Sequence, residues 1–426
     1  MIFGNGNNFK NFDVKLKKSN KLITFEQLLK KEPRQFKFSL QIDNEKVTGE
    51  GIRGDDAVWI PVSEYGYKII GENSRYDTLN VCYDNMKKFQ KLNLNIFPKI
   101  HWVEKVSFDN KQYLLLKIEN VKERFENHNK EDYFLPLDDK KTVSKLLQCG
   151  TTWRDNIVES FYSHNIKPED EWYKKINFIN GKIVDFHRFT ISPERYFFDS
   201  NGKTKEELQE IYKGLVNNYS KVIDHNGAPK WKGKIYQGFN FDNGYSFRGY
   251  SSNSTMYDSY KKLPFIPYGK VKNKKVLDIG SNQGFFSFQA AIHGASEVVG
   301  IERQKEDVIA ANEIKKILGY DNVSFKNLDA VKYIMDSNEK YGLVIANSVL
   351  HQIYKNLEGK ECDALFKKLA SDCEYFAFES PVNHPTMRIN MSQIYYKLTK
   401  YFKVVRLLNV YDAYSSGYRA NFVCYA

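Results

Sequence analysis

The chain has 426 residues, a length that indicates two or more domains and excludes a single small module. Its 42% hydrophobic and 27% charged residues allow large buried cores, so a broadly disordered protein is excluded as well. The net charge of +12 suggests an anionic partner, but residues 1–40 alone carry 9 basic and 3 acidic residues, which is half of the excess. We therefore interpret residues 1–40 as a solvated basic lead segment, and charge alone does not argue for a nucleic-acid partner.

The five cysteines are widely spaced and include no CxxC pair, which argues against a disulfide framework and a thiolate zinc site. We therefore predict no metal ligands. Residues 1–20 lack the apolar stretch of a signal peptide, and no run of about 18 apolar residues follows. These patterns predict a cytoplasmic protein without a membrane span.

Residues 41–215 are predicted to form an α+β domain that begins with a glycine-rich pattern. GEGIRG (49–54) fits GxGxxG, and Lys68 follows on an apolar strand candidate. The strand and helix candidates after the glycines are residues 57–62, 65–70, 77–92, 99–106 and 112–121. SHNIKPED (163–170) and GKIVDFH (181–187) come later in the chain.

The order of these segments resembles that of the protein kinases. The resemblance implies a site for Mg-ATP that is built from Gly49, Gly51, Lys68, Asp170 and Asp185. Three positions depart from the kinase pattern: Asn165 replaces the catalytic aspartate, Asp170 the metal-binding asparagine, and His187 the glycine of DFG. We interpret this part as a degenerate kinase-like domain of doubtful activity; an active phosphotransferase and an unrelated α+β domain are the alternatives.

Residues 216–260 are rich in glycine, serine, asparagine and aromatic residues and show no sustained helix or strand period. We interpret them as a linker that folds over a ligand site of the domain that follows. Arg248 is a candidate partner for a ligand carboxylate, and Tyr257 is a second candidate contact.

Residues 261–426 alternate short apolar runs with amphipathic segments. The runs are 274–280, 297–302, 323–329, 341–348 and 374–380, and residues 402–426 read as a closing antiparallel hairpin. This alternation predicts an α/β fold with a mostly parallel sheet and helices on both faces. Ligands bind such sheets at the carboxyl ends of the strands.

Three successive strand ends in this region carry acidic residues. The first strand ends in Asp278 and a turn with Gly280, Ser281 and Gly284, which allows close approach of a ligand to the backbone. The second strand ends in Glu302, placed to accept ribose hydroxyls, and the third in Asp329, placed to meet an adenine amino group.

VLDIGSNQG, VVGIE, NLDA and IANSVLHQI together resemble the motifs of the class I S-adenosylmethionine-dependent methyltransferases. The resemblance implies a Rossmann-like domain that binds S-adenosyl-L-methionine through the strand-end residues above, with Asn347 as a further cofactor contact and His351 as the candidate base. Asn282 departs from the usual middle glycine, although asparagine tolerates a left-handed backbone. QGFFS, GIE and SVLHQI are similar to enzymes that methylate surface polysaccharides, some of which also carry a kinase domain.

The resemblance to these enzymes implies O-methylation of a glycan or small metabolite. An RNA methyltransferase that uses the basic lead segment is one alternative, and a bifunctional kinase/methyltransferase is another. A nucleotide-binding interaction protein without turnover is a third.

Overall fold

The computed structural model of the chain describes residues 9–16, 22–23, 35–42, 45–53, 57–71, 79–108, 111–121, 197–223, 227–251, 258–382, 389–412 and 417–426, with shorter stretches between 140 and 191. The chain divides into two units. One contains Met1–Phe134 and Ile166–Ile191, and the other contains Leu135–Asn165 and Ser192–Ala426. No helix of the described ranges is long and apolar enough to cross a membrane.

The boundaries of the two units differ from the division that the sequence suggests at residues 215 and 260. Helix α2, defined below as Lys205–Ser220, belongs to the second unit because Tyr219 near its end bonds with Asp307 and Gln283 of that unit. Val143 and Leu147 also join the core of the second unit.

Eight strands of the first unit form one antiparallel sheet. They are β1 Phe9–Leu16, β2 Leu22–Ile23, β3 Gln35–Ile42, β4 Glu45–Arg53, β5 Ala57–Pro61, β6 Tyr65–Gly71, β7 Ile100–Phe108 and β8 Lys111–Glu119. Their order across the sheet is β2-β1-β3-β4-β5-β6-β8-β7. The residues predicted to be a solvated tail thus supply β1, β2 and most of β3, because FKFSLQ alternates apolar and polar side chains with the period of a strand.

Helix α1, Leu79–Leu92, connects β6 to β7. Its buried side chains recur at helical spacing, at Leu79, Cys82, Met86 and Phe89, and this apolar stripe packs on the sheet. The described part of this unit also contains a short 3-10 helix, Phe186–Arg188, and four two-residue strands: β9 Ile166–Lys167, β10 Phe178–Ile179, β11 Lys182–Ile183 and β12 Thr190–Ile191.

The second unit contains a seven-stranded sheet and a two-stranded one. The small sheet pairs β13 Phe239–Asn240 with β14 Ser246–Phe247. The large sheet contains β15 Lys275–Ile279, β16 Glu297–Glu302, β17 Val323–Asn327, β18 Tyr341–Asn347, β19 Cys373–Pro381, β20 Val404–Asp412 and β21 Tyr418–Tyr425. The helices are α2 Lys205–Ser220, α3 Phe285–Ile292, α4 Lys305–Leu318, α5 Ala330–Asp336, α6 Leu350–Tyr354, α7 Gly359–Asp372 and α8 Met391–Tyr401.

The large sheet has the order β17-β16-β15-β18-β19-β21-β20, with β15 to β19 parallel and β21 antiparallel to both of its neighbours. The predicted α/β fold with a closing hairpin is confirmed. From β15 the chain continues to β16 and β17 on one side and later to β18 on the other. The ends of β15 and β18 therefore flank the topological switch point, where open α/β sheets bind ligands.

Candidate functional site

The turn after β15 contains three residues with a left-handed backbone. Gly280, Asn282 and Gly284 have positive φ values of 68°, 52° and 87°, so the asparagine occupies the left-handed conformation that a glycine would otherwise supply. The backbone amides of Gly280 and Ser281 both donate to the carbonyl of Ile301 in β16, which fixes the turn against the neighbouring strand. The hydroxyl of Ser281 lies beside Gly300 of the same strand.

Asp278 fixes the start of α3 to β15. Its side chain is 1% exposed, and one carboxylate oxygen accepts a hydrogen bond of 2.7 Å from the Ser287 hydroxyl. Burial raises the pKa of Asp278 to about 7, against the opposing effect of that hydrogen bond. Asp278 thus braces the turn.

The titration of Asp278 should be visible in stability. The unfolded chain releases this proton near pH 4 and the folded protein only near pH 7, so the folded state binds more protons in between and the free energy of unfolding falls as pH rises over this range. Asp278→Asn removes this titration. We therefore expect the free energy of unfolding of the variant, minus that of the wild type, to increase by a few kcal/mol between pH 4 and pH 7. Urea unfolding of both proteins at unit pH steps measures it; parallel pH profiles would contradict the assignment.

Glu302 ends β16 beside the turn. One carboxylate oxygen accepts from the backbone amide of Asn282 at 3.1 Å and the other from that of Gln304 at 2.8 Å. Burial raises the pKa of Glu302, and the nearby Asp307 carboxylate adds to this, while the two amides oppose it. Each oxygen keeps a second lone pair and the side chain stays partly exposed, so the carboxylate can accept from further donors.

The end of the third strand, β17, carries two polar side chains and one apolar side chain. Asp329 caps α5 by accepting from the amide of Lys332 at 3.0 Å and stays exposed. The amide of Asn327 donates to the carbonyl of Glu302 at 3.1 Å, which ties this strand end to the previous one. Leu328 is 47% exposed between them and offers an apolar surface that the sequence reasoning did not consider.

The other side of the switch point carries an amide donor for which the described residues supply no partner. Asn347 ends β18, and its buried side-chain nitrogen has no hydrogen-bond partner among the described residues. A buried polar group without a partner costs free energy, which makes this nitrogen a candidate contact for a ligand. His351 is buried in the first turn of α6, and Val349 lies so close to Gly280 that the two strand ends meet.

Part of the predicted linker is joined to the glycine turn. The backbone amide of Gln237 donates to the Gln283 side chain at 3.0 Å, and the Gln237 side chain accepts from the amide of Phe285 at 3.1 Å. Gln283 also donates to Asp307, which Lys230 contacts at 3.2 Å. Both glutamines are almost fully buried, a docking contact that sequence reasoning missed because the two residues lie 46 positions apart.

The two candidate residues of the linker are not brought to this turn by any contact of the described residues. Arg248 has an exposed side chain, and its carbonyl accepts from the Tyr212 hydroxyl. Tyr257 lies outside the described residues. Both therefore stay predictions.

A buried cluster of charges lies next to Asn347. Glu379 on β19 is fully buried and accepts hydrogen bonds from four side chains, those of Lys262, Ser348, Tyr411 and Arg419. Burial alone would raise the pKa of Glu379, but the two cations outweigh it and hold this pKa well below its ordinary value. In the sequence, Glu379 is a lone charged residue inside an apolar strand, and this pattern does not predict which side chains it contacts.

In the first unit, Lys68 lies buried on β6, and its ammonium donates to the carbonyl of Val184 at 3.2 Å. Phe186, of the DFH sequence, packs its ring 5.6 Å from that of Phe89 on α1 and 5.3 Å from that of Phe97. Lys68 thus lies near the segment that contains DFH, as the kinase pattern implies.

Gly49 and Gly51, the first two glycines of the kinase-like pattern, lie inside β4, paired with β3, and not in a turn. A Cβ on Gly51 would lie 2.3 Å from the Phe36 ring, and one on Gly49 would lie 3.2 Å from the Phe38 ring. The glycines therefore make room for aromatic side chains of the sheet itself. Asp170 and Asp185 lie outside the described residues.

Comparison with known proteins relates residues 270–406 of the second unit to methyltransferases. Residues 270–406 match the model of the methyltransferase domain family. The ribosomal protein L11 methyltransferase of Lactobacillus johnsonii is 29% identical over 153 residues, which are 34% of this chain and 46% of that protein. The protein of the same name from Lactobacillus gasseri is 24% identical over 232 residues, 52% of this chain and 66% of that protein. The chain thus spans about half to two thirds of the length of these relatives.

Solved structures that resemble the chain include the bifunctional kinase-methyltransferase WbdD, at 20% identity and a TM-score of 0.39 over 50% of this chain and 46% of that one. Magnesium protoporphyrin IX methyltransferase from Synechocystis PCC 6803 is also similar, at 20% identity and a TM-score of 0.30 over 37% and 72%. The family match falls on the sheet whose strand ends carry the glycine turn and Glu302. Residues 270–406 are therefore identified as a methyltransferase domain, built on the mostly parallel sheet described above.

Proposed function

We propose that the chain transfers a methyl group from S-adenosylmethionine to an oxygen of a glycan or small-metabolite acceptor. The observation that carries the proposal is the meeting of the glycine turn, the Glu302 carboxylate and the unpartnered Asn347 amide at the switch point of the sheet. The acceptor class rests on the resemblance of QGFFS and SVLHQI to polysaccharide-methylating enzymes.

The residues at this edge fit the cofactor. The left-handed backbone at Gly280 and Gly284 shapes the turn at this edge, and Glu302 has free lone pairs for the two ribose hydroxyls. The adenine ring would lie near the exposed Leu328, with Asp329 as acceptor for its amino group. When bound, S-adenosylmethionine supplies an electrophilic methyl group on a sulfonium.

The residues of the site have two further tasks, which are to align the two reactants and to remove the proton of the acceptor. Charge is lost in this transfer, so the chain contributes by orienting the reactants and excluding water more than by stabilising new charge. A hydroxyl nucleophile must lose its proton. His351, buried just beyond Asn347, is our candidate for the group that takes it.

Substitution of Glu302 tests the cofactor site. Hydrogen bonds to an ionised group contribute about 1.5–3 kcal/mol each, so Glu302→Gln should weaken binding of S-adenosylmethionine about 10- to 100-fold. Isothermal titration calorimetry measures this. Glu313→Gln, in α4, removes only a surface ion pair with Lys316 and should leave the affinity unchanged. Wild-type protein that gives no heat with millimolar cofactor would refute the proposed function.

The acceptor needs a separate experiment. Cell extract is incubated with the protein and methyl-labelled S-adenosylmethionine, and the labelled fraction is digested with ribonuclease, protease or glycosidase. Label that survives ribonuclease and protease supports a glycan or small metabolite. Label in RNA or protein would contradict this acceptor class and leave methyl transfer itself standing.

We also propose that the first unit binds Mg-ATP. The proposal is supported by the strand order β4-β5-β6-β8-β7 with α1 between β6 and β7, and by the buried Lys68 on the central strand. Mg-ATP should raise the melting temperature of the wild type and not that of Lys68→Met. An unchanged wild-type melting temperature would assign Lys68 a structural role.

A further inference from the structure

The proposed function does not yet use the buried charged cluster around Glu379. The position of this cluster in the sheet relates it to the ligand edge. Glu379 is the register partner of Asn347, so the two residues lie side by side at the carboxyl ends of β19 and β18. The backbone amide of Ser348 donates to the carbonyl of Glu379 at 2.9 Å. The cluster is therefore attached directly to Asn347, whose side-chain amide has no partner within the described part of the chain.

Ser348 links the cluster to the site through both its side chain and its backbone. Its hydroxyl accepts from the ammonium of Lys262 at 2.8 Å and donates to the carboxylate of Glu379. Its φ of 58° is left-handed, a conformation that non-glycine residues adopt only when their surroundings impose it. The side chains of the cluster thus hold a backbone turn between Asn347 and α6.

The charges are arranged for geometry more than for stability. Lys262 and Glu379 are 3.2 Å apart and almost inaccessible to water, and Arg419 completes the pair from β21. Such buried ion pairs contribute little more to stability than well-packed apolar residues would. Their presence is best explained by the part of the backbone that they hold in position. What they fix here is the turn that presents the Asn347 amide.

We propose that Lys262, Ser348 and Glu379 act as one positioning unit that aims the side-chain amide of Asn347 at an oxygen of bound S-adenosylmethionine. This inference rests on the proposed function and adds three residues to it. None of the three is required to touch the cofactor. Lys262 comes from the segment that precedes the sheet, so the unit also ties that segment to the ligand edge.

The test is a double-mutant cycle on cofactor affinity. Lys262→Met removes the ammonium and keeps an unbranched side chain, and Ser348→Ala removes only the hydroxyl. We expect each variant to weaken binding of S-adenosylmethionine by at least fivefold in calorimetry. The double variant should be no weaker than the worse single variant, because both changes break the same unit. Lys262→Arg, which keeps the charge, should recover part of the affinity.

The control is Lys274→Met, which breaks an exposed ion pair with Glu374 at the other end of the same sheet and should change the affinity less than twofold. Melting temperatures of the ligand-free proteins show whether each variant is folded. If Lys262→Met is not folded, the cycle is built from Ser348→Ala and Asn347→Ala instead. Single effects that multiply in the double variant, or variants that bind like the wild type, would overturn the inference. A wild type that does not bind the cofactor would instead refute the proposed function.

Discussion

Glu379→Ala should lower the free energy of unfolding by about 3–5 kcal/mol. The reason is that the substitution leaves two buried cations, those of Lys262 and Arg419, without their shared carboxylate in a region closed to water. The Tyr411 hydroxyl loses its acceptor at the same time. The measurement is urea unfolding of the ligand-free protein near neutral pH.

Glu374→Ala is the matched control because it removes a glutamate from the same strand. Glu374 is 55% exposed and pairs with Lys274 at the surface, so its loss should cost less than about 1 kcal/mol. Equal effects of the two substitutions would show that the Glu379 cluster contributes no more than a surface ion pair.

Gly284→Ala should abolish measurable cofactor binding and destabilise the second unit. The φ of 87° at this position is left-handed, which costs a residue with a Cβ about 1–2 kcal/mol. The new Cβ would also lie 2.4 Å from the Phe325 ring and 2.9 Å from that of Phe288, so the start of α3 must shift. A shifted helix start misplaces the backbone amides of the turn.

Gly214→Ala is the control for this substitution, with an expected effect of opposite sign. Gly214 lies inside α2, and the methyl group of an alanine there would have no neighbouring atom within 4 Å. Alanine should therefore add about 0.5–1 kcal/mol of helix stability and leave cofactor affinity unchanged. Calorimetric titration and thermal unfolding of both variants measure the two effects. A Gly284→Ala protein that binds normally would place the cofactor away from this turn.

The α/β fold could be predicted, and a candidate ligand edge proposed, because their signals are local. Buried apolar runs mark β15, β16 and β18, and a turn with Gly280 and Gly284 at the end of the first run marks the ligand edge. The position of Glu302 follows from one strand–helix–strand repeat. Such patterns need no knowledge of distant contacts.

The remaining features depend on contacts between residues far apart in the chain. Glu379 meets Lys262 across 117 positions, and Gln237 meets Gln283 across 46, so neither pair has a sequence signature. The lead segment was misjudged for a different reason. Its net charge suggested a solvated tail, while the alternation of Phe36 and Phe38 with polar residues is that of a strand with one exposed face.

The position of β21 has a consequence for how the second unit is assembled. This strand follows β20 in the chain but lies between β19 and β20 in the sheet. During synthesis β19, an almost wholly buried strand, has an open edge until residues 418–425 arrive to pair with it. Arg419 lies on β21, so the pairing of β21 with β19 also brings the second cation to Glu379, and a chain without β21 would leave one apolar edge of β19 unpaired, which favours aggregation.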